Sequence, residues 1–157
     1  MRFQTYDPDF VARVRSGGPD ADGRPAERAV SGGAATPCRC CLRDVPEDAE
    51  MLIVAARPFP EPQPYAELGP IFLCAEECEP WAGEGPPPIL GTSPDYLVKG
   101  YSSDDRIVYG TGQVTPADEI ERYAAEVLER PEIAYIDVRS ARNNCFLTRT
   151  RRPGPDR

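Results

Sequence analysis

The chain of 157 residues contains no histidine. That absence removes the side chain that titrates nearest neutral pH, the usual activator of serine and cysteine nucleophiles, and the commonest nitrogen ligand for zinc. Lysine is almost missing too: Lys99 is the one lysine among 18 basic residues, leaving a single Schiff-base candidate. Long apolar runs are lacking. The longest, Met51 to Ala56, is far too short to cross a bilayer, and Met1 to Asp7 hold no stretch of signal-peptide length, so the expectation is a cytoplasmic protein with no membrane partner. Aromatics are few, at 8%, and apolar residues make up 40%.

What the chain does have is proline (19) and glycine (13), so much of it must be loop around a small core. Its length suits one domain over residues 1–157, with a flexible connector at 16–37, where Ser-Gly-Gly and Asp-Gly-Arg-Pro stretches show no hydrophobic period, and a loose tail at 152–157. The net charge of −8 argues against nucleic acid, since a polyanion would be repelled over most approach directions. Charge is uneven, however. Asp44 to Glu84 is strongly acidic around the lone Arg57, whereas the segment after Pro131 carries most of the late arginines, and Arg149 to Arg152 reads as a solvated end.

Residues 2–6 alternate as a short strand, and Asp7-Pro8-Asp9 before Phe10-Val11-Ala12-Arg13-Val14 predicts a capped helical turn or two. Met51–Ala56 and Pro70–Cys74 have the apolar continuity of buried strands, and the proline-spaced segment between them must be extended. Tyr96–Gly100 and Arg106–Tyr109 predict a hairpin across Ser102-Ser103-Asp104-Asp105. The clearest helix spans 116–130: Thr115 can cap it, Pro116 suits its first position, and Ile120, Tyr123, Ala124, Val127 and Leu128 share a face. Ile133–Val138 and Phe146–Thr150 complete the strands, joined by a turn through Asn143-Asn144, where asparagine tolerates left-handed backbone. The fold class is therefore α+β, a mainly antiparallel or mixed sheet with one principal helix packed on one face. Gly110-Thr111-Gly112 is a turn and not a phosphate cradle, because Asp118, Glu119 and Glu121 crowd the following helix start with negative charge.

Six cysteines carry the chemistry that can be read. Cys38, Cys40 and Cys41 stand in Cys-Arg-Cys-Cys, Cys74 and Cys78 form a second close pair, and Cys145 is alone. In a reducing compartment such spacing favours metal ligation over disulfides. Cys38, Cys41, Cys74 and Cys78 are the ligand set for a structural tetrathiolate Zn2+ site, with Cys40 a substitute ligand. Two other readings stay open: separately buried thiols, and a redox pair at Cys38/Cys41, whose pKa Arg39 and Arg43 could lower.

The segments Pro37-Cys38-Arg39-Cys40-Cys41-Leu42, Pro64-Tyr65-Ala66-Glu67-Leu68-Gly69-Pro70-Ile71-Phe72, and Ala134-Tyr135-Ile136 through Arg139 to Asn144-Cys145-Phe146, in that order, resemble a family of small bacterial proteins called domain of unknown function 1203. The resemblance covers roughly residues 37–152 and implies no assigned activity. It implies that histidine stands near the positions of Cys40 and Cys74 in many members, an exchange a zinc site permits, and that others lack the first cysteine group, which would make any metal an accessory to the fold.

The resemblance motifs also place Arg39, Arg57, Tyr65, Arg139, Arg142, Asn143 and Cys145 on loops or strand ends, a set suited to a small anionic ligand because a guanidinium offers two parallel donors in one plane. Ordinary pairing of these arginines with the chain's many carboxylates is the plainer reading. The expected function is a binding or interaction module stabilised by zinc. The alternative is a small thiol-dependent enzyme or redox protein using Cys38/Cys41 or Cys145 with nearby arginines, for which the sequence designates no catalytic base.

Overall fold

The computed structural model describes residues 1–154. In chain order the elements are β1 (Phe3–Gln4), α1 (Pro8–Arg15), β2 (Glu27–Val30), β3 (Glu50–Ala56), β4 (Gly69–Cys74), β5 (Asp95–Tyr101), β6 (Gln113–Pro116), α2 (Ile120–Leu128), β7 (Tyr135–Ser140) and β8 (Phe146–Arg151). They build two antiparallel sheets, one of five strands ordered β1-β8-β7-β5-β6 and one of three ordered β2-β3-β4. The class is α+β, with two sheets where the sequence suggested one.

Local sequence explains both helices. Asp7 caps α1 by accepting from the amide of Asp9, Pro8 sits at the first turn, and Phe10, Val11 and Val14 turn inward. Gly17, at φ +90°, then ends the helix with backbone that a side chain would strain. In α2 the buried residues are Ile120, Ala124, Val127 and Leu128, the stripe that the 3.6-residue period requires. Each large apolar side chain so removed from water contributes about 1.5–3 kcal/mol. The helix starts later than the sequence suggested, because Thr115 and Pro116 belong to β6, opposite Tyr96 and Asp95, and a 3-10 turn occupies Ala117–Glu119.

The expected hairpin also changes partner. Residues 106–109 meet β5 only at the Tyr101–Ile107 bridge, while β6 pairs with β5 along its length. The loop between is held by Thr111, whose Oγ1 accepts from the Gly100 amide at 2.9 Å and donates to the Val108 carbonyl at 2.6 Å. Within 16–37, read above as a connector, lies β2, an edge strand on β3. Its side chains are mostly solvated, so it leaves no hydrophobic pattern to read. The late arginines differ as well. Arg149 is nearly buried against Asp137, and Arg152 donates to the carbonyls of Leu128, Arg130 and Ile133; residues 155–157 of the expected tail lie outside the described residues.

Two large apolar cores result among the described residues, beside a small aromatic cluster of Phe59, Tyr101 and Tyr135. One lies among α1, β3 and β4 and includes Cys38, Cys40, Cys41 and Cys74; the other lies between α2 and the five-stranded sheet. The cysteine loop joins them, since Leu42 enters the second core while its neighbour Cys41 stays in the first. Among the described residues no helix is long and apolar enough to cross a membrane.

Candidate metal centre

The loop 37–44 folds back on itself through the Pro37–Asp44 bridge, with the Cys38 amide donating to the Arg43 carbonyl at 2.8 Å and the Leu42 amide to the Cys38 carbonyl at 2.9 Å. Leu42 adopts φ +54° to make this turn. A parallel bridge between Cys38 and Phe72 lays the loop beside β4, whose last residue is Cys74, and the chain then bends so that Cys78 returns to the same point.

The sulfurs of Cys38, Cys41, Cys74 and Cys78 all lie within 4.8 Å of one another, and those of Cys38 and Cys78 are 3.9 Å apart. A tetrahedron with zinc–sulfur arms of about 2.3 Å has edges of about 3.8 Å, so the Cys38–Cys78 pair matches that edge and the whole quartet lies within about 1 Å of it. Four sulfur ligands leave no position for water, and such a centre would stabilise structure without hydrolysing anything.

The surroundings favour negative charge on sulfur. Cys38 Sγ accepts from the amides of Cys74 at 3.3 Å and Cys40 at 3.4 Å, and Arg15 Nη2 donates to Cys78 Sγ at 3.0 Å. Hydrogen bonds from Cys41 and Cys74 hold the Cys38 thiol down at about 6. Bonds from Cys38, Cys41 and Cys74, joined by Arg15, push Cys78 far below the ordinary thiol range, while the sharing with Cys38 raises Cys41 and Cys74. The amide and guanidinium donors thus favour negative charge on Cys38 and Cys78, charge that a cation bound among the four sulfurs would offset.

Cys40 is outside this quartet. Burial, with Cys78 nearby, raises its thiol to about 11. Arg15 was not legible in the sequence: it sits at the end of α1, and only the packing of α1 against the chain beyond β4 brings it to Cys78.

The anion-binding set does not converge. Arg39 is 2% exposed and acts as a structural clasp, its Nε donating to the Phe146 carbonyl at 2.8 Å and its Nη1 to that of Pro37 at 2.6 Å. Burial lowers its pKa to about 10, against the opposing pull of Cys145 and Cys38. Arg142 pairs with Asp95 at 2.9 Å on the surface. Tyr65 meets Tyr109 at 3.2 Å between hydroxyls, with Arg106 over its ring.

Arg139, Asn143 and Cys145 do share a small cavity of about 180 Å³, but Glu67 lines it too. That carboxylate engages Arg139 Nη1 at 2.9 Å, Lys99 at 3.3 Å and the Asn144 amide at 3.1 Å, while Nε and Nη2 of Arg139 are buried without a hydrogen-bond partner among the described residues. Arg57 lines a different cleft.

Residues 35–152 match the family model described as "Protein of unknown function (DUF1203)". The chain belongs to the DUF1203 family. No curated protein and no solved structure matches it. All six cysteines fall inside the DUF1203 match, whereas α1 and Arg15 precede it.

Proposed function

We propose that this protein is a cytoplasmic binding or interaction module in which Cys38, Cys41, Cys74 and Cys78 hold one structural zinc ion. The observation that carries the reading is the gathering of four sulfurs from two separated chain segments within 4.8 Å of one another, close enough for one ion to draw them together as a tetrathiolate. The ion would fasten the loop 37–44 to the end of β4, and through Leu42 it would brace the contact between the two cores.

The test is metal content of purified, untagged protein combined with thiol titration under reducing conditions. About one zinc per chain, with four thiols protected until a chelator is added, supports the reading. The lowered Cys38 thiol, 3.9 Å from Cys78, supports a second reading, a thiol-dependent redox protein. Metal-free protein with one abnormally reactive cysteine would favour that second reading and overturn the first.

A further inference from the structure

A cleft of about 460 Å³ lies between α1, the residues just before it, and the segment Arg57 to Pro60. Three guanidinium groups line it, from Arg13, Arg57 and Arg149. In a chain of net charge −8 this is an unusual concentration of cations. Neither Arg13 nor Arg57 forms an ion pair among the described residues. Arg57 makes only a long 3.4 Å bond from Nε to the Ala66 carbonyl, and Arg13 bonds the Pro19 carbonyl through Nε at 3.0 Å, which leaves the outer nitrogens of both without protein carboxylates.

Arg149 is fixed differently. Asp137 grips its Nε at 2.6 Å and its Nη2 at 2.9 Å, and Nη2 also donates to the Pro58 carbonyl at 2.8 Å. The cation is therefore held in one orientation before any ligand arrives, which lowers the ordering cost of binding.

Tyr6 lies at the floor. Burial raises its hydroxyl to about 12, Asp7 adds to the rise, and Arg149, Arg13 and Arg57 all act against it, so all three cations lie within electrostatic range of that hydroxyl. At neutral pH the hydroxyl stays protonated and offers a donor. The largely buried rings of Phe10, Phe59 and Phe146 border the cleft, with Arg149 5.3 Å from the Phe59 ring and Arg13 5.1 Å from that of Phe10. Among the described residues Asp7 is the one carboxylate lining it, and its Oδ1 is engaged by the Asp9 amide at 3.0 Å.

We infer that this cleft binds a small organic oxyanion, a carboxylate or phosphate monoester carrying a flat apolar body, with the head group between Arg57, Arg13 and the Tyr6 hydroxyl and the body against Phe59 and Phe146. Planar guanidinium forks fit oxyanions, aromatic faces fit a planar body, and the cleft volume falls in the range of small-molecule sites. The inference rests on the binding-module reading and gives it a ligand class, but it involves no thiol.

The test is an amide-shift NMR titration of the full chain with benzoate, phenyl phosphate and benzamide at constant ionic strength, run on samples whose zinc content has been measured. Saturable binding of either anion is expected, with a dissociation constant on the order of 1 mM for so small a probe and shifts centred on Tyr6, Arg57 and Phe59. Benzoate alone assigns a carboxylate head and phenyl phosphate alone a phosphate head.

Arg57→Gln and Arg13→Gln should each weaken binding by about 10-fold while leaving the melting temperature in place, since a charge-assisted bond is lost but no core residue changes. Arg13 is exposed, so its variant remains informative if Arg57→Gln fails to fold. No saturable shift with either anion up to about 20 mM, benzamide binding as well as benzoate, or unchanged affinity in both variants would overturn the inference. Zinc-free protein that still binds the anion would sink the metal reading alone, and zinc-loaded protein that does not bind would sink this one alone.

Discussion

Removing zinc should lower the melting temperature by about 12 °C, and the figure follows from where the ligands sit in the chain. Cys38 and Cys41 lie in one loop and Cys74 and Cys78 in another, so the segment between the two pairs that the ion would close runs from Cys41 to Cys74. In the chain-entropy treatment of a cross-link, closing about 33 residues restricts the unfolded state by about 4 kcal/mol at 25 °C. For a domain of this size each kcal/mol moves the melting temperature by about 3 °C. Both apolar cores would persist without the ion, so the chelated protein should melt in a single transition at lower temperature and not arrive unfolded.

The assay is calorimetry of zinc-loaded and chelator-treated protein with a phosphine reductant throughout, because Cys38 and Cys78 are close enough to oxidise once free. Cys74→Ser should reproduce the chelated melt and respond no further to chelator. If the loaded and chelated samples melt within about 2 °C of each other, the ion does not cross-link the loops and the reasoning fails.

Arg15→Met should speed zinc loss to a chelator, with affinity falling about 10-fold, because the guanidinium on Cys78 would no longer offset sulfur charge; unchanged competition against a fluorescent zinc indicator would refute this. Asp137→Asn should cost about 3–5 kcal/mol in urea unfolding, since Asp137 is fully buried and its loss would strand Arg149; a change below about 1 kcal/mol would refute it. Glu67 is governed first by burial, which raises its carboxyl, but Arg139, Lys99 and Asn144 together overcome this and hold it below the usual range. A depressed folded pKa contributes stability that is present above the unfolded value of about 4.3 and is lost as pH falls through the folded value. Melting temperature should therefore decline on acidification below about pH 4, and Glu67→Gln should flatten that decline; parallel profiles would count against the network.

How much of this could be read from the chain varies with the physics of each element. Met51–Ala56 and Pro70–Cys74 were legible because strands buried in a core are continuously apolar, and α1 because Asp7-Pro8 is a local capping signal. Asn144 takes the left-handed backbone, at φ +58°, that its residue type permits. β2 was not legible, since Glu27–Val30 is held by backbone pairing with solvated side chains, and neither was the exchange of 106–109 for 113–116, which rests on Thr111 holding the loop from the side. The thiol quartet could be proposed from spacing, but its meeting depends on one bridge between Cys38 and Phe72. The arginine set does not share one site because residue type does not tell which carboxylate or carbonyl each guanidinium finds: Arg39 found carbonyls, Arg139 found Glu67, and Arg57 lines a cleft with Arg13 and Arg149, which lie far from it in sequence.

The pairing of Phe3 with Thr150 and Gln4 with Arg149 makes the first strand the edge partner of the last. On the ribosome, Phe3 and Gln4 must wait for Arg149 and Thr150 to be synthesised before their place in the larger sheet exists. The nascent chain can assemble β2, β3 and β4 early, while the cleft floor at Tyr6 is completed only after Phe146 emerges from the exit tunnel.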